Sequence, residues 1–382
     1  MERRSLLRGA GLAGIAAGGA ALLAACGKKE QPAAPAPAAP ATPAAPAVST
    51  GVIRWRLASS FPKSLDTIFG AAEVFSKAVK DMSGGKFEIS VHAGGELMPP
   101  FGVVDGVQAG TVECAHTAPY YFFGKDPTFA MDCAIPFGLN SRQMSAWMYE
   151  GNGLKLFREF YAAYNIVNFP MGNTGAQMGG WYRKEIKSLA DIKGLKMRIG
   201  GFGGKVLERI GGVPQNIPGG EIYQALEKGT IDATEWVGPY DDQKLGFNKV
   251  AKNYYYPGWW EGGPQLSLYV NNKAWAALSA EQKAIVENAA AHAHVVMQAR
   301  YDAKNPAALK QLVADGTKLF RFPKDVMDAA FKEAMALYDE LNKTNPAWKK
   351  IYEDYAVFRR DQNLMFRFAE GGFDSFMQQQ KL

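Results

Sequence analysis

Hydrophobic and polar residues alternate near the start of the folded part of the chain in a way that predicts a β-α-β unit. Residues 53–57, I-R-W-R-L, alternate as a half-buried strand does. Residues 66–82 instead place apolar side chains at helical spacing and end before Gly84 and Gly85, which fit a helix terminus. Residues 87–91 alternate again. A strand, a helix and a second strand in this order indicate an α/β fold with helical crossovers.

The last third of the chain is predicted to be mostly helical. Ser279 and Gln282 have the spacing of a capping box, so a long helix is expected from residue 280 toward residue 305. The other elements expected here are one strand and two helices, at residues 316–322, 325–341 and 347–368.

The last of these helices carries an apolar stripe that is wide for a terminal element. Its members are Ile351, Tyr355, Phe358, Met365 and Phe366. Two interpretations of the stripe stay open. It either packs on the body of its own chain or contacts a second copy in a homodimer.

Two segments that lie 119 residues apart resemble each other. V-Q-A-G-T-V-E-C-A-H-T at residues 107–117 aligns with L-E-K-G-T-I-D-A-T-E-W at residues 226–236. Each is typical of a helix that ends at glycine and leads into a short buried strand. Two lobes of similar construction would place His116 and Glu235 at corresponding strand ends, which is the edge where open α/β sheets bind ligands. The repeat therefore predicts that both segments face one cleft.

The composition is that of an ordinary globular protein. The chain has 382 residues, of which 47% are hydrophobic and 21% charged, and its formal net charge is +6. This length allows one or two domains with a large core. The net charge is too small to indicate binding to DNA or RNA, so no nucleic-acid partner is expected.

The first 25 residues resemble an export signal. Paired arginines at residues 3 and 4 give a twin-arginine-like start, and a short apolar run follows. L-A-A-C at residues 23–26 resembles a lipoprotein box, which would make Cys26 the lipidated first residue of a periplasmic protein. A plain signal with an incidental Cys26 is the alternative. Residues 26–50 contain six prolines among alanines and fit an extended linker.

Motifs of known enzymes are missing from the sequence. It contains no G-x-S-x-G, H-E-x-x-H or C-x-x-C pattern, and His116 is isolated. G-G-F-G-G-K at residues 200–205 resembles a phosphate-binding loop, but its glycine spacing is one residue short and Val206 stands where Ser or Thr would hold magnesium. Cys114 and Cys133 either form a disulfide or remain buried thiols. These motifs therefore give no support to a hydrolase or to a nucleotide-binding protein.

Four residues carry the chemistry that the sequence does suggest. They are Gln177, Arg198, Glu235 and Glu261. Arg198 ends a predicted strand before a glycine turn, where a guanidinium can bind a carboxylate through two parallel hydrogen bonds. Glu235 and Glu261 lie among tryptophans, and a buried glutamate needs a partner charge or a metal. Carboxylate, amide and main-chain oxygens together suit a hard cation such as Na⁺ or Ca²⁺. A surface arginine and local salt bridges are the alternatives when each residue is taken alone.

The sequence resembles the DctP-type solute-binding subunits of TRAP transporters from about residue 51 to the C-terminus. The stretches that carry the resemblance are S-L-A-D-I-K-G-L-K-M-R-I-G at residues 188–200 and I-Y-Q-A-L-E-K-G-T-I-D-A-T-E-W at residues 222–236. E-W-V-G-P-Y-D-D and Y-Y-Y-P-G-W-W-E-G-G are similar to the branch that binds 2-oxo monocarboxylates with a cation.

The resemblance implies an α/β fold of two lobes, joined by hinge strands, with a long helix that spans both and helices at the C-terminus. Lobe I would comprise residues 51–175 and about 264–303. Lobe II would comprise residues 176–263 and about 304–345. Residues 346–382 would form a C-terminal helix that can exchange between the subunits of a homodimer.

The resemblance also assigns roles to individual residues. Arg198 would pair with the substrate carboxylate. The residues that would hold a Na⁺ or Ca²⁺ ion, itself in contact with the substrate, are Gln177, Glu235, Trp236 through its main-chain oxygen, and Glu261. Those that would line the wall of the other lobe are Tyr120, Tyr121 and Phe122. The implied function is to capture a 2-oxo acid such as pyruvate and deliver it to membrane subunits.

Three other functions remain as alternatives at this point. The protein would bind a different organic acid, such as lactate or an aromatic or sugar acid. It would serve a receptor or another class of transporter. It would be a metal-assisted lyase acting on oxo acids, which the missing general acid or base disfavours.

Overall fold

The computed structural model describes residues 51–380. The predicted signal segment, the linker at residues 26–50 and Cys26 lie outside the described residues. The strands are β1 (Ile53–Ser59), β2 (Phe87–His92), β3 (Cys114–Thr117), β4 (Ile166–Asn173), β5 (Trp181–Tyr182), β6 (Lys196–Arg198), β7 (Val213–Gln215), β8 (Ala233–Thr234), β9 (Asn253–Tyr256), β10 (Gln265–Asn271) and β11 (Lys318–Arg321).

The helices connect these strands and then form the C-terminal part of the described chain. They are α1 (Ile68–Met82), α2 (Val103–Ala109), α3 (Ser141–Tyr149), α4 (Gly153–Ala162), α5 (Gly201–Arg209), α6 (Ile222–Glu227), α7 (Pro239–Leu245), α8 (Phe247–Val250), α9 (Asn272–Ala276), α10 (Ala280–Ala314), α11 (Lys324–Thr344), α12 (Pro346–Phe368) and α13 (Glu370–Met377).

Two mixed sheets organise the described residues. The five-stranded sheet has the order β2-β1-β3-β10-β4, and the six-stranded sheet has the order β11-β9-β5-β8-β6-β7. We name the part built on the first sheet lobe I and the part built on the second lobe II. β1 runs parallel to both β2 and β3, which confirms the predicted β-α-β start. β10 runs antiparallel to its two neighbours.

The chain crosses between the sheets three times. It passes from β4 to β5, returns from β9 to β10, and crosses again through α10, which follows the last strand of lobe I and precedes β11 in lobe II. The predicted hinge strands and long spanning helix are therefore present.

Helix α10 continues nine residues beyond the predicted end at residue 305, to Ala314. Pro306 lies inside it and does not end it, although proline removes one backbone hydrogen bond. Ala308 and Leu312 are buried beyond the proline, so packing on the body maintains the helix. The capping box of Ser279 and Gln282 is formed as predicted.

The C-terminal segment forms two helices, α12 and α13, rather than the single helix expected for residues 346–382. Its apolar stripe is divided as well. Ile351 and Tyr355 are buried in the body of the chain, and the Tyr355 hydroxyl accepts a hydrogen bond of 2.7 Å from the Leu139 amide. Met365 is 61% exposed and Phe368 is 74% exposed. Packing on the chain's own body thus accounts for the first half of the stripe only.

The two similar segments adopt the same local structure. α2 and α6 are followed by Gly110 and Gly229, whose φ angles of 71° and 73° lie in the left-handed region that glycine favours. A short buried strand follows each glycine, β3 in lobe I and β8 in lobe II. The predicted repeat is confirmed. Cys114 and Cys133 are both buried free thiols, so the disulfide alternative is wrong.

Several carboxyl groups are buried in the interior of the protein, where their pKa values are raised. In lobe I, Asp132 accepts hydrogen bonds from Tyr161 at 2.9 Å and from Ser267 at 3.0 Å. Burial raises the pKa of Asp132 to about 7 although these donors oppose it. Burial likewise raises the pKa of Asp241 to about 6 and the pKa of Asp242 to about 7.

These raised pKa values predict that the ligand-free protein loses stability as the pH rises. Each folded-state pKa lies above the ordinary value of 3.8, so the folded protein retains protons that the unfolded chain releases. The stabilisation is complete below about pH 4 and is lost as the pH rises through 6 to 7; each group accounts for roughly 3 to 4 kcal/mol at most. The contribution of these three groups to the melting temperature should therefore fall between pH 4.5 and 8. The buried His116 and His294, whose pKa values burial lowers to about 3 and about 4, act in the opposite direction as the pH rises toward 6.5.

Asp132→Asn should make that fall shallower because one of the three groups no longer titrates. Asp339→Asn, at an exposed position of α11, is the matched control and should follow the wild-type profile. Identical slopes for wild type and Asp132→Asn would contradict the prediction.

Candidate functional site

The predicted site residues come from the ends of strands and from the crossing segments. Arg198 is the last residue of β6, and Glu235 directly follows β8. Gln177 lies in the β4–β5 crossing, and Glu261 lies in the β9–β10 crossing. Tyr120 belongs to a 3₁₀ turn, Pro119–Phe122, just after β3. All five are buried, and the fold brings residues that are far apart in sequence to the edge where the parallel strands end.

Arg198 and Glu235 form a buried ion pair between Nη1 and Oε1, with each side chain 1% exposed. Nη1 also donates to the Glu235 carbonyl oxygen at 3.1 Å, and Nε donates to the Ile217 carbonyl oxygen at 3.1 Å. Nη2 of Arg198 and Oε2 of Glu235 are buried without a hydrogen-bond partner. The pair therefore retains one donor and one acceptor that a ligand or an ion would satisfy.

The aromatic ring of Trp236 lies against this pair. The guanidinium carbon of Arg198 is 5.1 Å from the centre of the Trp236 ring, within the range of a cation–π contact. Phe61 contacts the same indole, with ring centres 6.4 Å apart. The aromatic surroundings exclude water and strengthen the electrostatic interactions of Arg198.

Burial determines the protonation preferences of the two glutamates. It raises the pKa of Glu235 to about 6, while the Arg198 charge opposes that rise. Burial and then repulsion from Glu235 raise the pKa of Glu261 well above its ordinary value. Burial tends to lower the pKa of Arg198, but Glu235 outweighs it and the guanidinium stays charged. Two buried carboxyl groups facing one arginine favour the uptake of a further positive charge, either a proton or a cation.

Oxygen atoms converge where the two crossings meet. The amide group of Gln177 lies 2.7 Å from the Trp236 carbonyl oxygen and 2.5 Å from Oε2 of Glu261. The structure orients the Gln177 oxygen toward both acceptors, whereas the swapped amide would donate to both. Without an ion, the swapped orientation satisfies the Trp236 carbonyl oxygen and Oε2 of Glu261. A bound cation would instead favour the orientation with the Gln177 oxygen on this side.

Main-chain hydrogen bonds fix the position of this cluster. The Gln177 amide donates to the Glu261 carbonyl oxygen at 3.1 Å, and the Gly258 amide donates to the Gln177 carbonyl oxygen at 2.9 Å. Met178 is tied to Val237 by a 3.0 Å bond between its amide and the Val237 carbonyl oxygen. The crossings therefore hold Gln177, Trp236 and Glu261 in register.

The donor set fits a hard cation. Within residues 51–380 no group of three or more His, Cys, Asp or Glu side chains is arranged to hold a metal ion. The cluster offers instead two carboxylates, an amide oxygen and a main-chain oxygen, and the unpartnered Oε2 of Glu235 needs a positive partner. Oxygen-only sets of this kind suit Na⁺ or Ca²⁺ better than transition metals.

A small cavity lies between the lobes beside this cluster. Its volume is about 10 Å³, room for about one water molecule. The residues that line it are Phe61, Ile68, Ala118, Tyr120, Tyr121, Thr174, Gln177, Trp236, Val237, Pro264 and Leu266. Arg198, Glu235 and Glu261 are not part of this lining. Arg198 pairs with Glu235 and lies against the lining residue Trp236, and Glu261 lies beside the lining residue Gln177.

Phe122 is the one predicted wall residue that the structure does not bring to the cavity. It packs into the core of lobe I against Phe129, with ring centres 5.9 Å apart. A 3₁₀ turn has about three residues per turn, so three successive side chains point in three directions and cannot all face one cavity. Tyr120 and Tyr121 do line the cavity.

Most of the apolar lining comes from residues that no sequence pattern indicated. Phe61 follows the end of β1, Ile68 begins α1, and Leu266 lies in β10. Phe61 was detectable, since it follows a parallel strand at the edge where such sheets bind ligands. His116 does not reach the cavity: its ring lies 5.2 Å from that of Phe61, and burial lowers the pKa of His116 to about 3.

Among residues 51–380, no helix is both long enough and apolar enough to cross a membrane.

The chain matches the family model described as DctP, bacterial extracellular solute-binding protein, family 7, over residues 58–345. It is 50% identical over 324 residues to the monocarboxylate 2-oxoacid-binding periplasmic protein of Nostoc sp., an alignment that covers 85% of this chain and 89% of that protein.

Two solved structures have the same fold. A TRAP transporter solute-binding protein of Bordetella bronchiseptica is 52% identical with a TM-score of 0.85, covering 86% of this chain and 97% of that one; it is a mixed-occupancy dimer with calcium and picolinate in one active site. A TRAP periplasmic solute-binding protein of Pseudoalteromonas atlantica is 37% identical with a TM-score of 0.82, covering 86% and 100%, and contains sodium and pyruvate.

Proposed function

Because the chain belongs to the DctP family of bacterial extracellular solute-binding proteins, family 7, we propose that it captures a small monocarboxylate, a 2-oxo acid such as pyruvate, together with a bound cation. It then delivers the solute to the membrane subunits of a TRAP transporter. Members of this family bind solutes and are not enzymes, and they act outside the cytoplasm.

The pairing of Arg198 with Glu235 behind the cavity supports this proposal most directly. Nη2 of the buried guanidinium has no partner and can donate to a solute carboxylate. The second of the two parallel hydrogen bonds would come from Nη1, which now donates to Glu235. The cavity of about 10 Å³ is too small for pyruvate. The cavity must therefore enlarge when the solute enters. For Arg198 to bind the solute carboxylate, it must give up part of its contact with Glu235.

When Arg198 pairs with the solute, the Glu235 carboxylate becomes available to bind a cation. The residues that would hold Na⁺ or Ca²⁺ are Gln177, Glu235, Glu261 and Trp236 through its carbonyl oxygen. A bound cation would supply a positive charge that neutralises the two glutamates and attracts the solute. These residues orient the ion, exclude water and leave one side open toward Tyr120 and Tyr121.

The solutes bound by the two similar structures share a chemical feature. In pyruvate the oxo oxygen is attached to the carbon that bears the carboxylate, and in picolinate the ring nitrogen is bonded to the carbon that bears it. Each anion can therefore hold a cation through this atom and one carboxylate oxygen. This feature supports a 2-oxo acid as the solute here. An aromatic acid of the picolinate type is the second candidate class, because the protein 52% identical to this chain contains picolinate.

The lobe limits are part of the proposal. We retain residues 51–175 and about 264–303 for lobe I, and residues 176–263 and about 304–345 for lobe II. The crossings between β4 and β5 and between β9 and β10 support these limits. A hinge at the crossings would open and close the cavity, which lies between the lobes.

A thermal-shift screen of carboxylates tests the proposed solute. Pyruvate, 2-oxobutyrate, picolinate, lactate and a C4-dicarboxylate are added in turn, with and without Na⁺ or Ca²⁺. At 100 times its dissociation constant a ligand stabilises the folded protein by about 2.7 kcal/mol. The 2-oxo acids should raise the melting temperature in the presence of the cation, whereas a response confined to the dicarboxylate would overturn the proposal.

The same samples exclude or reveal catalysis. Pyruvate incubated with the protein should remain unchanged by nuclear magnetic resonance. Its consumption would favour the lyase alternative.

A homodimer is also proposed, and the exposed end of the chain supports it. Leu364, Met365, Phe368, Phe373 and Phe376 are all more than half exposed on the last two helices. Deleting all of residues 346–382 would remove the buried Trp348 and Tyr355 and damage the body. Deleting residues 370–382 is the sharper test and should lower the mass measured by light scattering, while an unchanged mass would contradict a dimer formed through α13.

Periplasmic tethering through a lipid at Cys26 completes the proposal, and it concerns residues outside the described part. Mass spectrometry of the protein from the membrane fraction should find Cys26 lipidated, and Cys26→Ser should release the protein into the soluble fraction. Recovery of wild type in the soluble fraction without a lipid would contradict it.

A further inference from the structure

The glycine-rich stretch G-G-F-G-G at residues 200–204 forms the N-cap and the first turn of α5. Gly200 precedes α5 as its N-cap residue, and the helix begins at Gly201. Glycine is unfavourable within a helix compared with alanine. Three glycines in the first turns of one helix, with a fourth at its N-cap, therefore need a reason in the packing around them.

The first two glycines lie against Tyr120 of lobe I. A Cβ added at Gly200 would be 2.7 Å from Cε2 of Tyr120 and 3.2 Å from its Cδ2. A Cβ added at Gly201 would be 2.6 Å from the Cβ of Tyr120. Because Gly200 and Gly201 of lobe II have no side chains, the Tyr120 side chain of lobe I packs directly on their backbone.

The third glycine lies against the segment that carries Glu261. A Cβ added at Gly203 would be 2.9 Å from the Cβ of Trp260, which is the neighbour of Glu261 in sequence. The start of α5 therefore contacts two segments of the solute site. One is the Tyr120 turn of lobe I, and the other is the crossing with the candidate cation ligand.

Tyr120 connects this contact to the cavity. Its ring lines the cavity, and it is packed edge-on against Tyr121 with ring centres 5.0 Å apart. The tyrosine is fixed on one side by Tyr121 and on the other by Gly200 and Gly201. A side chain at residue 200 would push the ring toward the cavity or hold the lobes apart.

We propose that Gly200 and Gly201 form the closure contact of the two lobes, with Tyr120 seated on their backbone, and that the absence of a Cβ at residue 200 sets how tightly the lobes close on the solute. This inference rests on the proposed function, because closure is useful only when a solute is enclosed. It assigns to Gly200 a positioning role: it contacts neither solute nor cation.

Gly200→Ala tests the contact, with Gly220→Ala as the matched control. Gly200 has an extended backbone, with φ −89° and ψ 163°, that alanine also adopts, so the lobes should fold normally. Gly220 lies in the same lobe and has no heavy atom within 4 Å of an added Cβ. By calorimetry with Ca²⁺, Gly200→Ala should bind pyruvate about 10- to 100-fold more weakly, as expected for overpacking, and Gly220→Ala should match wild type.

A double-mutant cycle with Tyr120→Ala identifies the partner. Once the ring is removed, the added methyl at residue 200 should cost little further affinity, since contacting residues couple and distant ones do not. Wild-type affinity for Gly200→Ala would overturn the inference. So would an equal loss from Gly200→Ala in both backgrounds, because the methyl would then act somewhere other than on Tyr120.

Small-angle X-ray scattering separates this inference from the proposed function. Without solute, Gly200→Ala should have a larger radius of gyration than wild type and Gly220→Ala, because its lobes close less. This measurement of the radius of gyration needs no ligand. If wild type bound none of the acids, the proposed function would fail, and equal radii for the three proteins would still overturn the closure contact on its own.

Discussion

Arg198→Met is expected to abolish measurable binding of pyruvate, a loss of at least about 100-fold, because the solute carboxylate would lose its buried guanidinium partner. Truncating one partner of a buried charge pair typically costs several kcal/mol. Calorimetry in the presence of Ca²⁺ measures the affinity. Arg198→Lys keeps the charge but loses the paired hydrogen bonds, so it should fall between wild type and Arg198→Met.

Stability must be measured beside affinity for this residue. Arg198→Met leaves Glu235 buried without its partner charge, which costs about 3 to 5 kcal/mol. A surface arginine was the alternative for Arg198, and the buried ion pair excludes it. Adding Glu235→Gln removes the unpaired charge and should restore much of the melting temperature without restoring pyruvate binding.

Arg183→Met is the control for Arg198→Met. Arg183 is an exposed residue of lobe II, and its replacement should leave both affinity and melting temperature near wild type. Unchanged pyruvate affinity in folded Arg198→Met would remove Arg198 from the solute site and would leave the buried pair with a structural role only.

Glu261→Gln is expected to abolish the dependence of solute binding on Na⁺ or Ca²⁺. Glu261 forms no ion pair with any residue in 51–380, and its Oε2 faces Gln177, so a cation is its natural partner. At a distance of about 4 Å one unit charge contributes about 4 kcal/mol at an effective dielectric constant of 20, so cation affinity should fall at least about 100-fold. Calorimetric titration of Ca²⁺ into the chelated protein provides the measurement.

The pH dependence of cation binding gives an independent check. Burial raises the pKa of Glu235 to about 6 and raises the pKa of Glu261 further, so protons compete with the cation at these carboxyl groups. Cation-dependent binding in wild type should therefore weaken as the pH falls through 6 and strengthen as it rises. Glu261→Gln removes one competing site and should flatten this profile.

Glu150→Gln, at an exposed position after α3, is the control and should keep the wild-type cation dependence. Wild-type protein that binds pyruvate equally well after chelation and replacement of Na⁺ would exclude a cation from the site. The oxygens around Gln177 would then be joined by the amide in its swapped orientation.

Parts of the site could be predicted because the residues themselves are unusual for their surroundings. Glu235 and Glu261 are carboxylates among tryptophans, and Arg198 stands between a strand and a glycine turn. Each signal is local, and each leaves a surface salt bridge as a reasonable alternative. The pairing of Arg198 with Glu235, 37 residues away, follows only from the parallel alignment of β6 and β8.

Other parts could not be predicted because they depend on direction or on distant neighbours. Phe122 differs from Tyr120 and Tyr121 only in the direction that its turn gives it, and sequence spacing does not contain that direction. Phe61 and Leu266 reach the cavity from different strands. α10 passes Pro306 because the body packs on both sides of that residue, which local rules cannot detect.

The sequence by itself determined the local elements of this protein: the β-α-β start, the capping box at Ser279 and the glycine ends of α2 and α6. These depend on side-chain periodicity and backbone preferences that act within about one turn or strand. Only the tertiary structure decided which charges meet in the interior, which aromatic rings face the cavity, and how Tyr120 rests on Gly200. Such contacts join residues far apart in the chain, and their energies depend on distance and burial, which do not exist until the lobes have folded.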